Sequence, residues 1–190
     1  QARFFDGIDH AYTYGYWQDC LERGEVKRAI LGLYGMMAYG MSRGTYSPVE
    51  VAEIRTGENH KTLPHTYSCS MQLRLLRNML LREDGDMLVL ADAVPRPWLA
   101  DGKRVAVNNA PTVFGPVSYA IESQAAAGRI RVHMDPPTRG GHKAVRLHLR
   151  HPDAAGIKSV ECKPETKATV KDDYVEFVSL TTPVDVIVRY

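Results

Sequence analysis

Apolar positions fall in two regimes along the chain. From Glu25 onward, Val26, Ala29, Ile30, Leu33, Met37 and Met41 recur at spacings of three and four, which marks one buried helical face. Ahead of them, Asp9 is placed to cap a helix beginning at His10, which runs through AYTYGYWQDCLE to a Gly stop at Arg23-Gly24. Ser47-Pro48-Val49-Glu50 matches a capping box with Pro at the first helical position, and so predicts a short helix over 49–55 ended by Gly57. His65 or Thr66 opens a further helix in which Cys69, Leu73, Leu76 and Leu80 face inward and Arg74, Arg77 and Arg82 face water, ending near Asp84-Gly85. From Met87 the period becomes two. It is clearest in Ile130, Val132, Met134 and in Val145, Leu147, Leu149, with Arg131, His133, Arg146, His148 and Arg150 pointing outward between them.

This second regime predicts strands over 86–91, 103–107, 113–123, 129–134, 143–150, 157–162, 174–180 and 184–190. Asp101-Gly102, Asn108-Asn109, Ala127-Gly128, Pro136-Pro137 and Gly140-Gly141 separate them as turns, and Gly115-Pro116 suggests a bulge or an edge position. The fold class is therefore α+β, a helical segment over 1–85 followed by an antiparallel β-sandwich over 86–190, with no strand expected before Ser42. Gly32, Gly35 and Gly40 each cost about 1 kcal/mol relative to Ala inside a helix, which calls for the close approach of a neighbouring helix. Tyr12, Tyr14, Tyr16 and Trp17 crowd the first helix, and such aromatics either fill a helix-helix seam or form a platform for a sugar ring.

Composition narrows the function. The chain of 190 residues is 44% hydrophobic and 24% charged, an ordinary globular balance, and holds no apolar run long enough for a bilayer. Its 24 Lys and Arg against 22 acids leave a net charge of +2, which gives no electrostatic reason to expect nucleic acid. Cys20, Cys69 and Cys162 are widely spaced and read as small buried hydrophobes. The opening QARFFDG, without initiator Met or signal-like segment, reads as part of a longer chain and leaves the compartment open.

Candidate chemistry concentrates at 43–67, RGTYSPVEVAEIRTGENHKTLPHTY, a Gly- and Pro-punctuated stretch holding three Glu and two His. Glu50 has a role in the capping box. Glu53 sits among Val51, Ala52 and Ile54, where desolvation would raise a carboxyl pKa toward the range of a general acid, and Glu58 is the second free carboxylate. His60 and His65 can hydrogen-bond a sugar hydroxyl or local backbone, while Arg43 and Arg55 can pair with Glu53 or Glu58. His60, His65 and Cys69 are spaced H-x4-H-x3-C with no fourth ligand, so no metal site is predicted.

The run RGTYSPVEVAEIRTGENHKTLPHTYSCSMQLRLLRNMLLRE, followed by LVLADAVPRPWLADGKRVAVNNAPTVFGPVSYAIES, resembles the C-terminal part of bacterial six-hairpin glycosidase-like proteins. The most specific features are a Pro-Arg-x-Trp-Leu segment, a Gly-Lys turn and an Asn-x-Pro-Thr-x-Phe-Gly-Pro segment after a last helix. The likeness spans nearly the whole chain and is to an architecture rather than to one activity. It implies an (α/α) toroid followed by a C-terminal β-sandwich, with only the closing helices of the toroid in this chain. It further implies hydrolysis of glycosidic bonds by paired carboxylates, with Glu53 or Glu58 as the catalytic carboxyl supplied here and the other member of the pair expected upstream. Tyr46, Arg55, His60 and His65 would contact the carbohydrate, and no cofactor is implied. An upstream part of the protein, or self-association through exposed helices, would complete the helical body, so the helices alone should leave a large apolar face exposed. The alternative is a non-catalytic structural or interaction domain.

Overall fold

The computed structural model describes residues 2–4, 7–9, 11–53, 55–60 and 62–190. The chain is α+β and divides into two units, Gln1–Met79 and Leu80–Tyr190. Among the described residues no helix is long and apolar enough to cross a membrane.

In the first unit, strands β1 (Ala2–Phe4) and β2 (Gly7–Asp9) precede a 3-10 turn, Ala11–Thr13, and helices α1 (Tyr14–Glu22) and α2 (Val26–Tyr39). Strands β3 (Val51–Ala52) and β4 (Asn59–His60) and helix α3 (Thr66–Leu80) follow. The Oδ1 of Asp9 accepts a hydrogen bond from the Tyr12 N–H (3.1 Å), so the expected capping role holds, although the helix proper starts at Tyr14. At the other end of α1, Gly24 (φ +73°) donates to Leu21 O and Glu25 donates to Cys20 O, the paired bonds of a Schellman stop.

Trp17 of α1 lies against Gly32 of α2. A Cβ there would fall 2.6 Å from Trp17 Cγ and closer still to Cδ2, which is the close helix approach that the glycine called for. Trp17 fills this seam and Tyr14 is buried toward α3, where its hydroxyl receives Asn78 Nδ2, while Tyr12 and Tyr16 are exposed.

Four expectations for this unit are corrected. Among the described residues of 49–55 there is no helix. Val51 and Ala52 form the third strand of an antiparallel sheet ordered β1-β2-β3-β4, pairing with Asp9 and Ile8 on one side and with His60 and Asn59 on the other. The β-branched Val49 and Val51 are both buried, and ladder pairing along extended chain outweighs a local Ser-Pro cap. Strands therefore do precede Ser42, and the N-terminal unit is helical with a small sheet rather than wholly helical. Finally, α3 buries Ser68, Gln72, Leu75, Asn78 and Met79, while Leu73 is 61% exposed and Cys69 and Leu76 are half-buried. The face is rotated because Asn78 Nδ2 donates to Gln18 Oε1 (2.9 Å) and Tyr14 Oη (3.2 Å), anchoring a polar stripe against α1. In α2 the buried face is likewise displaced, to Ala29, Gly32, Leu33 and Met36, and Met37 is exposed.

The second unit contains β5 (Leu81–Asp84), β6 (Met87–Leu90), β7 (Arg104–Ala110), β8 (Val117–Gln124) and β9 (Arg129–Asp135). After these come β10 (Ala144–His148), β11 (Ser159–Lys163), β12 (Ala168–Val170), β13 (Tyr174–Val178) and β14 (Val184–Arg189). They form two five-stranded sheets, β12-β13-β10-β6-β5 and β11-β14-β9-β8-β7.

Alternate residues of both sheets enter one core: Leu88, Leu90, Val145, Leu147, Val175 and Phe177 from the first, and Tyr119, Ile121, Ile130, Val132, Val186 and Val188 from the second. Each such side chain contributes about 1.5–3 kcal/mol by burial, which is why the period-two pattern was so regular here. The expectation of wholly antiparallel sheets is corrected, because β6 and β10 pair in parallel, Leu88 opposite Val145. Parallel neighbours need a long crossover, and the chain makes it through β7, β8 and β9 of the other sheet.

The helix-to-strand switch falls at Leu80-Leu81, with β5 and β6 joined by a turn at Gly85 (φ +59°). The bulge lies at Asn108-Asn109, not at Gly115-Pro116. Between Val107↔Tyr119 and Ala110↔Val117 strand β7 carries one residue more than β8, and Asn109, at φ +50°, donates its N–H to Ser118 Oγ.

Candidate functional site

Apart from Tyr46, the predicted site residues separate into two groups at opposite ends of the β3–β4 hairpin. At its tip, Glu53 donates its N–H to Glu58 O (3.0 Å) and Gly57 donates to Glu53 O (2.8 Å), closing the turn. The Glu53 carboxylate accepts from Thr56 Oγ1 (2.9 Å) and from Arg55 (3.4 Å), and Thr56 Oγ1 in turn accepts from the Glu58 N–H (3.1 Å). Glu53 is thus the internal cap of its turn, with a side chain 14% exposed, whereas Arg55 beside it is 88% exposed. Glu58 is exposed, and its carboxylate has no partner among the described residues. Gly57, at φ +71°, lies under the Arg43 guanidinium, which a Cβ would overlap. Arg43 therefore covers the turn by packing, and among the described residues it pairs with no carboxylate.

Antiparallel pairing sets where the other residues go. With Asp9 opposite Val51, the chain leaves β2 toward Glu50, away from Glu53. Glu50 donates its N–H to Thr62 O and accepts from the Thr62 N–H through Oε2, both at 3.3 Å, so it caps the ladder and not a helix. His65 donates its N–H to Pro48 O (2.8 Å), its ring Nδ1 meets Ser68 Oγ at 2.7 Å, and its carbonyl receives Cys69 N–H, opening α3.

Three rings gather at this end. Tyr12 and Tyr67 stand edge to face at 6.4 Å, and His65 meets Tyr67 at 6.2 Å. Tyr12 is 69% and Tyr67 49% exposed, so the cluster faces water. Pro48 and Glu53 are five positions apart on mostly extended chain, a separation of up to about 17 Å. Tyr46, 76% exposed at φ +52°, sits in a separate loop in which Ser42 bonds Ser47 and Tyr46. The His60 side chain lies outside the described residues, as do Ile54 and Lys61. Among the described residues, no group of three or more His, Cys, Asp or Glu is arranged to hold a metal ion.

The segments that carry the family resemblance have fold-making roles. Pro95 precedes a 3-10 turn, Arg96–Leu99, in which Leu99 is fully buried and Trp98 packs half-buried on the core. In the Thr112-Val113-Phe114-Gly115 turn, Thr112 Oγ1 accepts from the Phe114 N–H and donates to Gly115 O. Gly115, at φ +111°, brings Arg139 within 3.3 Å of where a Cβ would stand.

One constellation escaped the pattern reading. His148 and Arg150, expected outside, are largely buried. Arg82, expected to face water, donates to Asp92 Oδ2 at 2.8 Å with both groups buried, and also meets Asp84 at 3.2 Å. Burial opposes the Arg82 charge, and the bonds to Asp92 and Asp84 outweigh it, raising its pKa. His148 stands between Asp92 (3.5 Å) and Asp173 (3.6 Å), and Arg150 pairs with Asp173 at 2.8 Å and donates to Asp92 O. The His148 hydrogen bond, helped by Arg150, holds the Asp173 carboxyl below its usual range against the effect of burial. Alternation failed here because β10 ends at His148, after which Leu149 and His151 are buried in irregular chain.

No protein-family profile matches the chain, and no curated protein matches it.

Proposed function

We propose that this chain belongs to a carbohydrate-active protein of glycoside hydrolase type. In this reading the first unit is part of a larger helical body and lines one wall of a sugar cleft, and the two sheets of the second unit form its accompanying β-sandwich. The observation that carries the reading is the concentration of large exposed apolar side chains on the first unit. Tyr12, Tyr16, Leu31, Tyr34, Met37, Tyr39, Tyr46, Leu63, Tyr67 and Leu73 are all exposed, against Val113, Val170 and Val178 on the second. Exposed apolar surface marks a contact site where it is contiguous, and tyrosines, with an apolar ring and a polar tip, suit both packing partners and sugar rings.

Within the proposed cleft, Glu58 carries the acid or base function contributed by this chain, because the Glu53 carboxylate is occupied by Thr56 and Arg55. Tyr12, His65 and Tyr67 form a stacking subsite removed from the scissile bond. In the whole protein, assayed on a panel of aryl glycosides and oligosaccharides, Glu58→Gln should lower turnover by a factor of about 100 or more. Tyr67→Ala should raise KM for longer substrates. Hydrolysis unchanged by both Glu58→Gln and Glu53→Gln would remove the assignment.

The split of the candidate residues between the two hairpin ends favours one other reading, a non-catalytic interaction domain. Under it the whole protein binds its partner through the exposed tyrosines and cleaves no glycoside.

A further inference from the structure

The outer face of the β11-β14-β9-β8-β7 sheet carries a cleft of about 410 Å³, lined by Glu122, Arg131, His133, Lys163, Asp185 and Ile187. Register puts these side chains in two adjacent rows. Lys163, Asp185, His133 and Ala120 lie opposite one another across four strands, and Glu161, Ile187, Arg131 and Glu122 form the next row on the same face.

The acids are already engaged. Asp185 bonds His133 Nδ1 at 2.8 Å, Asp135 meets His133 Nε2 at 3.4 Å, Glu122 meets Arg104 at 3.7 Å, and Glu161 meets Arg189 at 3.7 Å. The cations are not. The Arg131 guanidinium has no ion-pair or hydrogen-bond partner among the described residues, and Lys163, 75% exposed, reaches only Glu161 at 3.9 Å. A pair that long and that exposed is worth little.

We propose that this cleft binds a carboxylated sugar, a uronate-containing oligosaccharide, with Arg131 gripping the carboxylate and Lys163 adding a second positive charge. Glu122 and Asp185, each with lone pairs left beyond its one ion pair, accept hydrogen bonds from ring hydroxyls, and the sugar lies over Ala120 and Ile187. A guanidinium takes a carboxylate through two parallel hydrogen bonds. Phosphate fits less well, because its larger charge would face Glu122 and Asp185 at close range, and an acidic peptide brings no hydroxyls to satisfy those acceptors. The proposal uses neither Glu53 nor Glu58, so it stands or falls apart from the hydrolytic reading.

His133 supplies a second readout. Its hydrogen bond to Asp185, with Asp135 on the other side, raises its pKa. The charged groups facing it are Asp185 from β14, Lys163 from β11 and Asp135 of its own strand, while β8 presents Ala120. Protonation adds positive charge to the cleft, so binding should tighten as pH falls through the His133 pKa.

The test is calorimetric titration of the full chain with trigalacturonate, galactotriose, triglutamate and inorganic phosphate, at unchanged far-UV circular dichroism. Trigalacturonate should bind at least about tenfold more tightly than the other three, and Arg131→Gln and Lys163→Gln should each weaken it by about tenfold, the loss of one charge-assisted contact. His133→Gln should flatten the pH dependence. The proposal is overturned if trigalacturonate gives no binding at millimolar concentration, if galactotriose, triglutamate or phosphate binds equally well, or if Arg131→Gln binds like the parent chain.

Discussion

Replacing Gly32 with Ala should destabilise the first unit, against the usual helix preference. Ala is favoured over Gly inside a helix by about 1 kcal/mol, and α2 runs on either side of this position. The added methyl, however, would stand 2.6 Å from Trp17 Cγ, 2.9 Å from Cε2 and closer to Cδ2. These ring atoms lie next to the Trp17 backbone attachment, so no terminal rotation clears them, and Trp17 is only 8% exposed. Overpacking of this kind costs about 1–3 kcal/mol, and an overlap this deep belongs in the upper half of that range. The net effect is a loss of about 1–2 kcal/mol, a fall in melting temperature of roughly 5–15 °C for a unit of this size.

Gly15 of α1 is the control, since a Cβ there meets nothing within 4 Å. Gly15→Ala should stabilise by about 0.5–1 kcal/mol. Urea titrations followed by circular dichroism would measure both, and Trp17→Leu in the Gly32→Ala background should recover stability as a favourable coupling. If Gly32→Ala rises in stability alongside Gly15→Ala, the close helix crossing is refuted.

The charge network of the second unit makes a different prediction. Asp92→Ala leaves Arg82 buried beside only Asp84, and should cost about 3 kcal/mol, seen as a fall in melting temperature on the order of 10 °C. Arg82→Met with Asp92→Leu should recover most of it, and no recovery would mean that the pair was not the cause. His133 should titrate above the ordinary histidine range by NMR, and Asp185→Asn should bring it down. Because its folded pKa is the raised one, the His133 contribution to stability is fully present below the unfolded pKa of about 6.5 and is lost as pH rises through the folded value. Stability that instead grew with pH in that window would contradict the pairing.

The regular part of the fold was legible because its physics is periodic. Val132, Ile130 and Val188 alternate with exposed neighbours, and such a pattern fits only a half-buried strand. The N-terminal unit was read less well because its elements are short or polar inside. Two-residue strands such as Val51–Ala52 carry no period of their own and take their form from Asp9 and His60, far away in sequence. The buried face of α3 contains Ser68, Gln72 and Asn78, which an apolar stripe cannot find, because Asn78 is held by hydrogen bonds to α1 and Ser68 by the His65 ring. The candidate site suffered for the same reason. Glu53, Glu58, His60 and His65 share one stretch of sequence, but a hairpin sends its tip and its base in opposite directions. His148 and Asp92 share no stretch at all, yet they meet.

The parallel β6–β10 pair bears on how the protein is made. The β5–β6 hairpin leaves the ribosome early, but the strand that closes the far side of β6 begins only at Ala144. Until then a Leu-Val-Leu segment presents unsatisfied backbone along one side, the kind of template that recruits other chains. Crowded or hurried expression is where this chain should lose yield to aggregates, even though the finished sheet hides that edge completely.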